Sequence, residues 1–109
     1  MDIETIAMTI VGNAGESRAL SYEALRIAKK GEFSKAKEML DEAKEKMCIA
    51  HSVQTELICN EADGKDVEIN LLMIHAQDHL MNAVLVRELV EELIEIHKEL
   101  KDLKGEKKL

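Results

Sequence analysis

Residues 33–57 read FSKAKEMLDEAKEKMCIAHSVQTEL and carry the clearest periodic pattern in the chain. Its mostly apolar positions recur every three or four residues, with lysine and glutamate between many of them: Phe33, Ala36, Leu40, Ala43, Met47, Ala50, Gln54 and Leu57. Residues three and four apart share one face of an α-helix, so the stretch predicts an amphipathic helix with one buried face. Ser34 is the expected cap at its start.

Two glycines mark the joints between this helix and its neighbours. Gly31 follows a pair of lysines, as at many helix C-termini, and Gly64 lies in the polar run 60–66. They divide the chain into three segments, about 3–30, 34–62 and 67–103. We therefore expect an all-α protein, an antiparallel three-helix bundle that forms a single domain over 1–103, with a charged, frayed tail over 104–109.

The first segment contains two further glycines, Gly12 and Gly15. Its pattern continues in phase on both sides of them, so we expect one uninterrupted helix in which both glycines allow close contact with a neighbouring helix. The expected inner face consists of Ile6, Ile10, Asn13, Ser17, Leu20, Ala24 and Ile27.

The third segment carries two stripes instead of one. The first consists of Leu72, Ala76, His79, Ala83, Val86, Val90 and Leu93, and the second of Leu71, Ile74, Asp78, Met81 and Leu85. One broad face is enough to cover two neighbouring helices. The second stripe therefore predicts a further partner, and self-association is the simplest explanation.

Composition excludes several classes of function. The 109 residues carry a net charge of −7 and only 2% aromatic side chains, which argues against binding of nucleic acid or of an anionic membrane surface. No apolar stretch approaches the roughly 20 residues that span a bilayer, and the start Met-Asp-Ile-Glu lacks the basic residues of a signal peptide. We expect a cytoplasmic protein without membrane insertion.

The two cysteines, Cys48 and Cys59, fall on the second predicted helix. Their separation along a helix, about 16 Å, is too large for a disulfide. We expect both to be reduced and mostly buried as small apolar residues.

The stretch His75-Ala76-Gln77-Asp78-His79 places reactive side chains inside an otherwise apolar helix. His75 has Asp78 and His79 as neighbours on one helical face, so it is a candidate nucleophile, base or metal ligand. The metalloprotease version of His-x-x-x-His needs a glutamate where this chain has Ala76, which argues against catalytic zinc. Three polar residues satisfied by hydrogen bonds or solvent are the alternative interpretation. Cys48 and His51, a second possible metal pair, are interpreted as core and interface residues.

The chain lacks a glycine-rich phosphate loop, Cys-x-x-Cys, Gly-x-Ser-x-Gly and the dinucleotide fingerprint. We therefore expect no nucleotide site.

The block His75-Ala76-Gln77-Asp78-His79-Leu80-Met81 resembles the enzyme IIA component of the lactose and cellobiose (or diacetylchitobiose) class of the bacterial phosphoenolpyruvate:sugar phosphotransferase system. Supporting pieces are 12–18 (Gly-Asn-Ala-Gly-Glu-Ser-Arg) with Ala24-Leu25, Ala50-His51 and Gln54-Thr55. The resemblance implies a homotrimer of three-helix bundles. It implies that His75 accepts a phosphoryl group from the carrier protein HPr and passes it to a cysteine of enzyme IIB. His79 and Gln77 are our candidates for supporting side chains.

For Asp78 the resemblance implies a metal site. Three copies of this carboxylate would meet on the trimer axis around one divalent cation, which we expect to be a structural Mg²⁺ because the ligands are oxygen atoms. A relay component must also release its partners. We expect weak, fast partner binding at an apolar patch of Leu72, Met73 and Leu80 around His75.

A non-catalytic trimeric helical interaction module is the alternative. In it, His75, Asp78 and His79 only set the register of assembly, as buried polar residues do in coiled coils. The sugar is recognised by the membrane component in such systems, so this sequence does not identify the disaccharide.

Overall fold

Three long helices form an elongated bundle. In the computed structural model, which describes residues 2–107, they are α1 (Ile3–Lys29), α2 (Phe33–Ala62) and α3 (Leu71–Lys107). The described range contains no strand, and the bundle measures 65 × 21 × 20 Å. The predicted all-α, three-helix architecture is confirmed. α1 runs without a break through Gly12 and Gly15, as expected.

Glycines in the left-handed conformation make both turns. Gly31 has φ +88° and Gly64 has φ +84°, a region that other residues enter only with strain. Each follows the end of a helix, so the chain reverses twice and consecutive helices are antiparallel. The two joints predicted from the glycines are therefore confirmed.

The helix ends differ from the prediction in three places. α2 begins at Phe33 after Glu32, whose side chain makes no cap hydrogen bond, so the expected Ser34 cap is wrong. α3 begins at Leu71 and not at 67, because the Asn70 side chain accepts a hydrogen bond from the Met73 amide at 2.8 Å. α3 also continues through Gly105 to Lys107, past the expected end at 103. Residues 108 and 109 of the expected tail lie outside the described residues.

α1 lies between the other two helices, and α2 and α3 contact each other much less. Its buried positions are mostly small and recur about every three or four residues: Ala7, Ile10, Ala14, Ser17, Ser21, Ala24, Ile27 and Ala28. The predicted inner face was correct at Ile10, Ser17, Ala24 and Ile27. Elsewhere it was one residue out of phase, since Ile6, Asn13 and Leu20 are only half-buried. Small side chains let α1 approach both neighbours closely.

α3 shows the two faces that its sequence predicted. Its buried positions are Met73, Ala76, Leu80, Ala83, Val90 and Ile94. The second predicted stripe is exposed and extends further along the helix. We call it the outer stripe: Leu71, Ile74, Asp78, Met81, Leu85, Leu89, Leu93, Ile96, Leu100 and Leu103. Its apolar members are between 42% and 82% exposed. Leu93, which the prediction assigned to the buried face, therefore belongs to the outer stripe.

Both cysteines lie on α2, are free and are exposed to solvent. The expectation that they are mostly buried is wrong, because they are out of phase with the buried positions Ala36, Leu40, Ala43 and Ala50. His51 is exposed as well, so Cys48 and His51 are not core residues.

Candidate functional site

His75 lies on the second turn of α3 and is exposed to solvent. The side chains of Met73 and Ala76 on either side of it are buried against the rest of the bundle. These buried neighbours fix the helix, so the imidazole projects from a rigid backbone.

The rings of His75 and His79 lie against each other. Their centroids are 5.8 Å apart and their planes differ by 20°, which is a stacked arrangement. The spacing of four residues on one helix explains the contact. The structure therefore brings these two predicted site residues together.

His79 also meets α1. His79 is half-buried, and a Cβ atom built on Gly15 would lie 3.4 Å from its Nε2 atom. The expectation of close helix contact is thus correct for Gly15. It is wrong for Gly12, which is exposed and has nothing within 4 Å of its built Cβ.

Gln77 is turned toward α2. Its Oε1 accepts a hydrogen bond from Gln54 Nε2 at 2.6 Å, and its own Nε2 lies 3.3 Å from the Met73 sulfur. Two residues along a helix correspond to a rotation of about 200°. Within one chain, Gln77 and His75 are therefore on opposite sides of α3. Sequence reasoning missed the contact with Gln54, which the α2 periodicity had placed among the inner-face positions.

Gln77 also lines a largely apolar concavity of about 350 Å³ between the end of α2 and the start of α3. The other contributing side chains are Gln54, Leu57, Ile58, Glu61, Val67, Ile69, Met73 and Ile74. His75 is not part of this surface, so the concavity is separate from the paired imidazoles.

Asp78 is exposed and lies within the outer stripe. Its Oδ2 atom accepts a hydrogen bond from Asn82 Nδ2 at 3.3 Å, one turn along the helix. Among the described residues of one chain, no three His, Cys, Asp or Glu side chains are grouped so that they could hold a metal ion. A single chain thus offers a cation one carboxylate at this position.

The apolar patch expected around His75 is wrong in two of its three members. Met73 and Leu80 are buried in the core, and Leu72 is half-buried. The exposed apolar neighbours of the site are Ile74 and Met81, both on the outer stripe. The rotation of α3 about its axis therefore places Met73 and Leu80 in the core of the bundle, where they cannot form the expected binding patch.

Comparison with known proteins decides the family. Residues 5–98 match the family described as PTS system, Lactose/Cellobiose specific IIA subunit. The chain belongs to this IIA family. The resemblance found in the sequence is therefore confirmed. IIA components are phosphoryl carriers of the sugar phosphotransferase system.

Relatives support the assignment over nearly the whole chain. The N,N'-diacetylchitobiose-specific EIIA component of Escherichia coli K12 is 44% identical over 100 residues, 92% of this chain and 86% of that protein. The crystal structure of the cellobiose-specific enzyme IIA from Bacillus anthracis superposes with a TM-score of 0.89 at 45% identity, covering 94% of each chain. The chitobiose IIA of E. coli, solved in complex with HPr, gives 0.81 at 42% identity, covering 93% of this chain and 98% of that one.

Within residues 2–107, no helix of this IIA protein is long and apolar enough to cross a membrane.

Proposed function

We propose that this IIA protein carries a phosphoryl group on His75 between HPr and a cysteine of enzyme IIB during disaccharide uptake. The observation that supports this best is the exposed imidazole of His75 on a rigid helix, in a chain 42% identical to a IIA protein solved with HPr. A group that is loaded by one protein and unloaded by another must be reachable from solvent. His75 meets this condition, while Met73 and Ala76 near it on the same helix are buried.

The transfer consists of two substitutions at phosphorus. An unprotonated nitrogen of His75 attacks the phosphorus of phosphohistidine on HPr; the new P–N bond forms as the old one breaks, and HPr keeps its imidazole. A thiolate of IIB then attacks the same phosphorus, forming a P–S bond and releasing the His75 nitrogen. Each partner brings its own reacting group, so the chain needs no nucleotide loop.

In this proposal His79 assists while the phosphoryl group is bound to the His75 nitrogen. A ring N–H of His79 donates to an oxygen of the phosphoryl group once the group is on the neighbouring imidazole. The stacked rings at 5.8 Å support this role because they hold both imidazoles on one face of α3. Gln77 would act on a partner or on a second copy of the chain, since it faces away from His75 within its own chain.

The protein works as a homotrimer in this proposal. The outer stripe is a long row of mostly apolar, exposed side chains on a helix of 37 residues. Exposure of so much apolar surface to water is unfavourable, and a second chain that covers the stripe would remove it. Three α3 helices joined along the stripe would bring three copies of Asp78 together. Carboxylate oxygens suit Mg²⁺, so Asp78 from each chain would hold one cation, which neutralises the assembled charge. The non-catalytic trimeric module shares this assembly but has no role for the exposed His75.

The transported sugar belongs to the disaccharides of this family. Proteins named for diacetylchitobiose and for cellobiose are equally similar to this chain, at 44% and 45% identity. Growth of a deletion strain on each disaccharide identifies the sugar. Loss of growth on one of them alone is the expected result.

Phosphorylation of purified variants tests the function. With phosphoenolpyruvate, enzyme I and HPr, we expect the wild type to gain an acid-labile, alkali-stable phosphoryl group. His75→Ala abolishes labelling because the nucleophile is gone, whereas the circular dichroism spectrum stays the same because little packing is lost. His51→Ala, which removes an exposed histidine of α2, is the matched control and keeps full labelling.

His79→Ala separates the two histidines of the site. We expect slower labelling with the same final amount of phosphoprotein, because a supporting donor is lost and the nucleophile remains. Labelling of His75→Ala together with none of His79→Ala would mean that His79 is the acceptor. A wild type that gains no phosphoryl group would favour the interaction module.

A further inference from the structure

Gly15 on α1 leaves a gap that the imidazole of His79 occupies. A Cβ atom at this position would lie 3.4 Å from His79 Nε2, at the limit of ordinary contact. The His79 ring also stacks on the ring of His75. His79 therefore lies next to both position 15 and His75. The space at position 15 limits where the His79 ring can lie.

Gly12 provides a contrast on the same helix. It lies three residues earlier, is exposed, and has nothing within 4 Å of a built Cβ. Glycine weakens a helix interior relative to alanine, so its presence calls for a reason in packing or function. The surroundings of Gly12 supply none, whereas those of Gly15 supply a ring that a side chain would meet.

The helices around Gly15 cannot easily separate to make room. Ala14 on α1 and Ala76 and Leu80 on α3 are fully buried in one core cluster. Moving α1 away from α3 would open cavities at all three, which is costly in a close-packed interior. A large side chain at position 15 would therefore displace the half-buried His79 ring, which has solvent on its outer side.

We propose that Gly15 is a positioning residue for phosphoryl transfer: because it lacks a side chain, His79 lies against α1 with its ring stacked on His75. The effect on transfer rests on the proposed function. The effect on the position of the His79 ring does not, and it can be measured without any partner protein.

The first test is the imidazole spectrum of the whole protein. Long-range ¹H–¹⁵N correlations of His75 and His79 are recorded for the wild type, Gly15→Leu and the matched control Gly12→Leu. We expect Gly15→Leu to move the His79 nitrogen resonances, while Gly12→Leu leaves them unchanged. His79 resonances that are unmoved in Gly15→Leu, or moved equally in Gly12→Leu, overturn the proposal whether or not the protein is phosphorylated.

The second test is a cycle of rates with phospho-HPr as donor, using the wild type, Gly15→Leu, His79→Ala and the double variant. A misplacement of about 1 Å slows a reaction by up to roughly two orders of magnitude, so we expect Gly15→Leu to lose about tenfold to 100-fold. In the His79→Ala background the same substitution should cost nothing more. An equal additional loss there overturns the proposal, because position 15 would then act by another route.

Gly15→Ala protects both tests against poor folding of the leucine variant. Its methyl group reaches the contact limit only, so the helices stay in place, and the His79 resonances should move in the same direction by less. Failure of the proposed function has a different signature. The wild type would then accept no phosphoryl group, while the imidazole spectra would still report on Gly15.

Discussion

Ser17 shows how a single polar side chain connects two helices inside this bundle. It is fully buried on α1, and its hydroxyl donates to the Ala43 carbonyl of α2 at 2.7 Å. Ser21 is buried equally, but its hydroxyl donates to the Ser17 carbonyl of its own helix at 2.9 Å. Both groups are satisfied, as buried polar groups must be. Only the first bond joins one helix to another.

Ser17→Ala should lower the free energy of unfolding by about 1 kcal/mol, the usual net worth of an intramolecular hydrogen bond. Ser21→Ala is the matched control. It removes a bond within the helix and gains the better helix propensity of alanine, so the free energy of unfolding should change by less than about 0.5 kcal/mol. Urea denaturation measures both. Equal losses would mean that the bond between the helices adds nothing beyond burial.

At the same scale, the sequence predicted the pairing of His75 and His79, because two residues separated by four positions lie next to each other on one face of a helix. It did not distinguish Gly15 from Gly12. That difference depends on the rotation of α1 relative to α3, which follows from packing of the whole bundle. The prediction that both cysteines are buried was wrong for the same reason. Cysteine is often buried, but the rotation of α2 about its axis places both side chains at the surface.

The elements were predictable where a backbone requirement decides them. Gly31 and Gly64 end their helices with positive φ, which sequence reasoning can anticipate from glycine after a charged helix end. The exact start of α3 was not predictable, because several residues before Leu71 are suitable caps and the structure uses Asn70. Helix ends are chosen by the turn that lets the next helix dock, and that information is not local.

Gly31→Ala should destabilise the protein by about 1–2 kcal/mol, the cost of the left-handed conformation for a residue with a Cβ. The added Cβ would also lie 3.2 Å from Lys101 Nζ, but that flexible side chain can move away. Gly12→Ala is the opposite case on the preceding helix, where alanine fits without contact. It should stabilise by about 0.5–1 kcal/mol. Thermal unfolding of both variants checks the signs; a stabilised Gly31→Ala would show that the turn changes conformation.

For the molecule as a whole, the outer stripe is the feature that one chain does not explain. The buried faces of α1, α2 and α3 satisfy one another, yet a row of large apolar side chains on α3 remains exposed along the helix. The sequence predicted this from two stripes on one segment, since helical periodicity assigns each residue to a face regardless of its partner. Periodicity does not give the number of chains. That number depends on how the side chains of the stripe fit between copies.

Asp78 provides the last prediction, since it is an acidic residue within the outer stripe. If three chains meet there, three carboxylates lie close together where water is scarce, and their repulsion must be offset by a cation or by protons. We expect chelator to lower the melting temperature of the wild type and added Mg²⁺ to restore it. Asp78→Leu should be indifferent to chelator and at least as stable, because a packed apolar layer often equals or exceeds a buried charged one.

Asp41→Leu serves as the control, because it removes an exposed carboxylate from α2 that pairs with Lys37. This variant should remain a trimer and keep the chelator sensitivity of the wild type. Sedimentation of all three proteins at micromolar concentration, with and without Mg²⁺, gives the assembly state directly. A monomeric wild type under both conditions would refute the trimer and the cation together. A trimer that resists chelator would refute the cation alone, and proton sharing among the three carboxylates would then have to offset their repulsion.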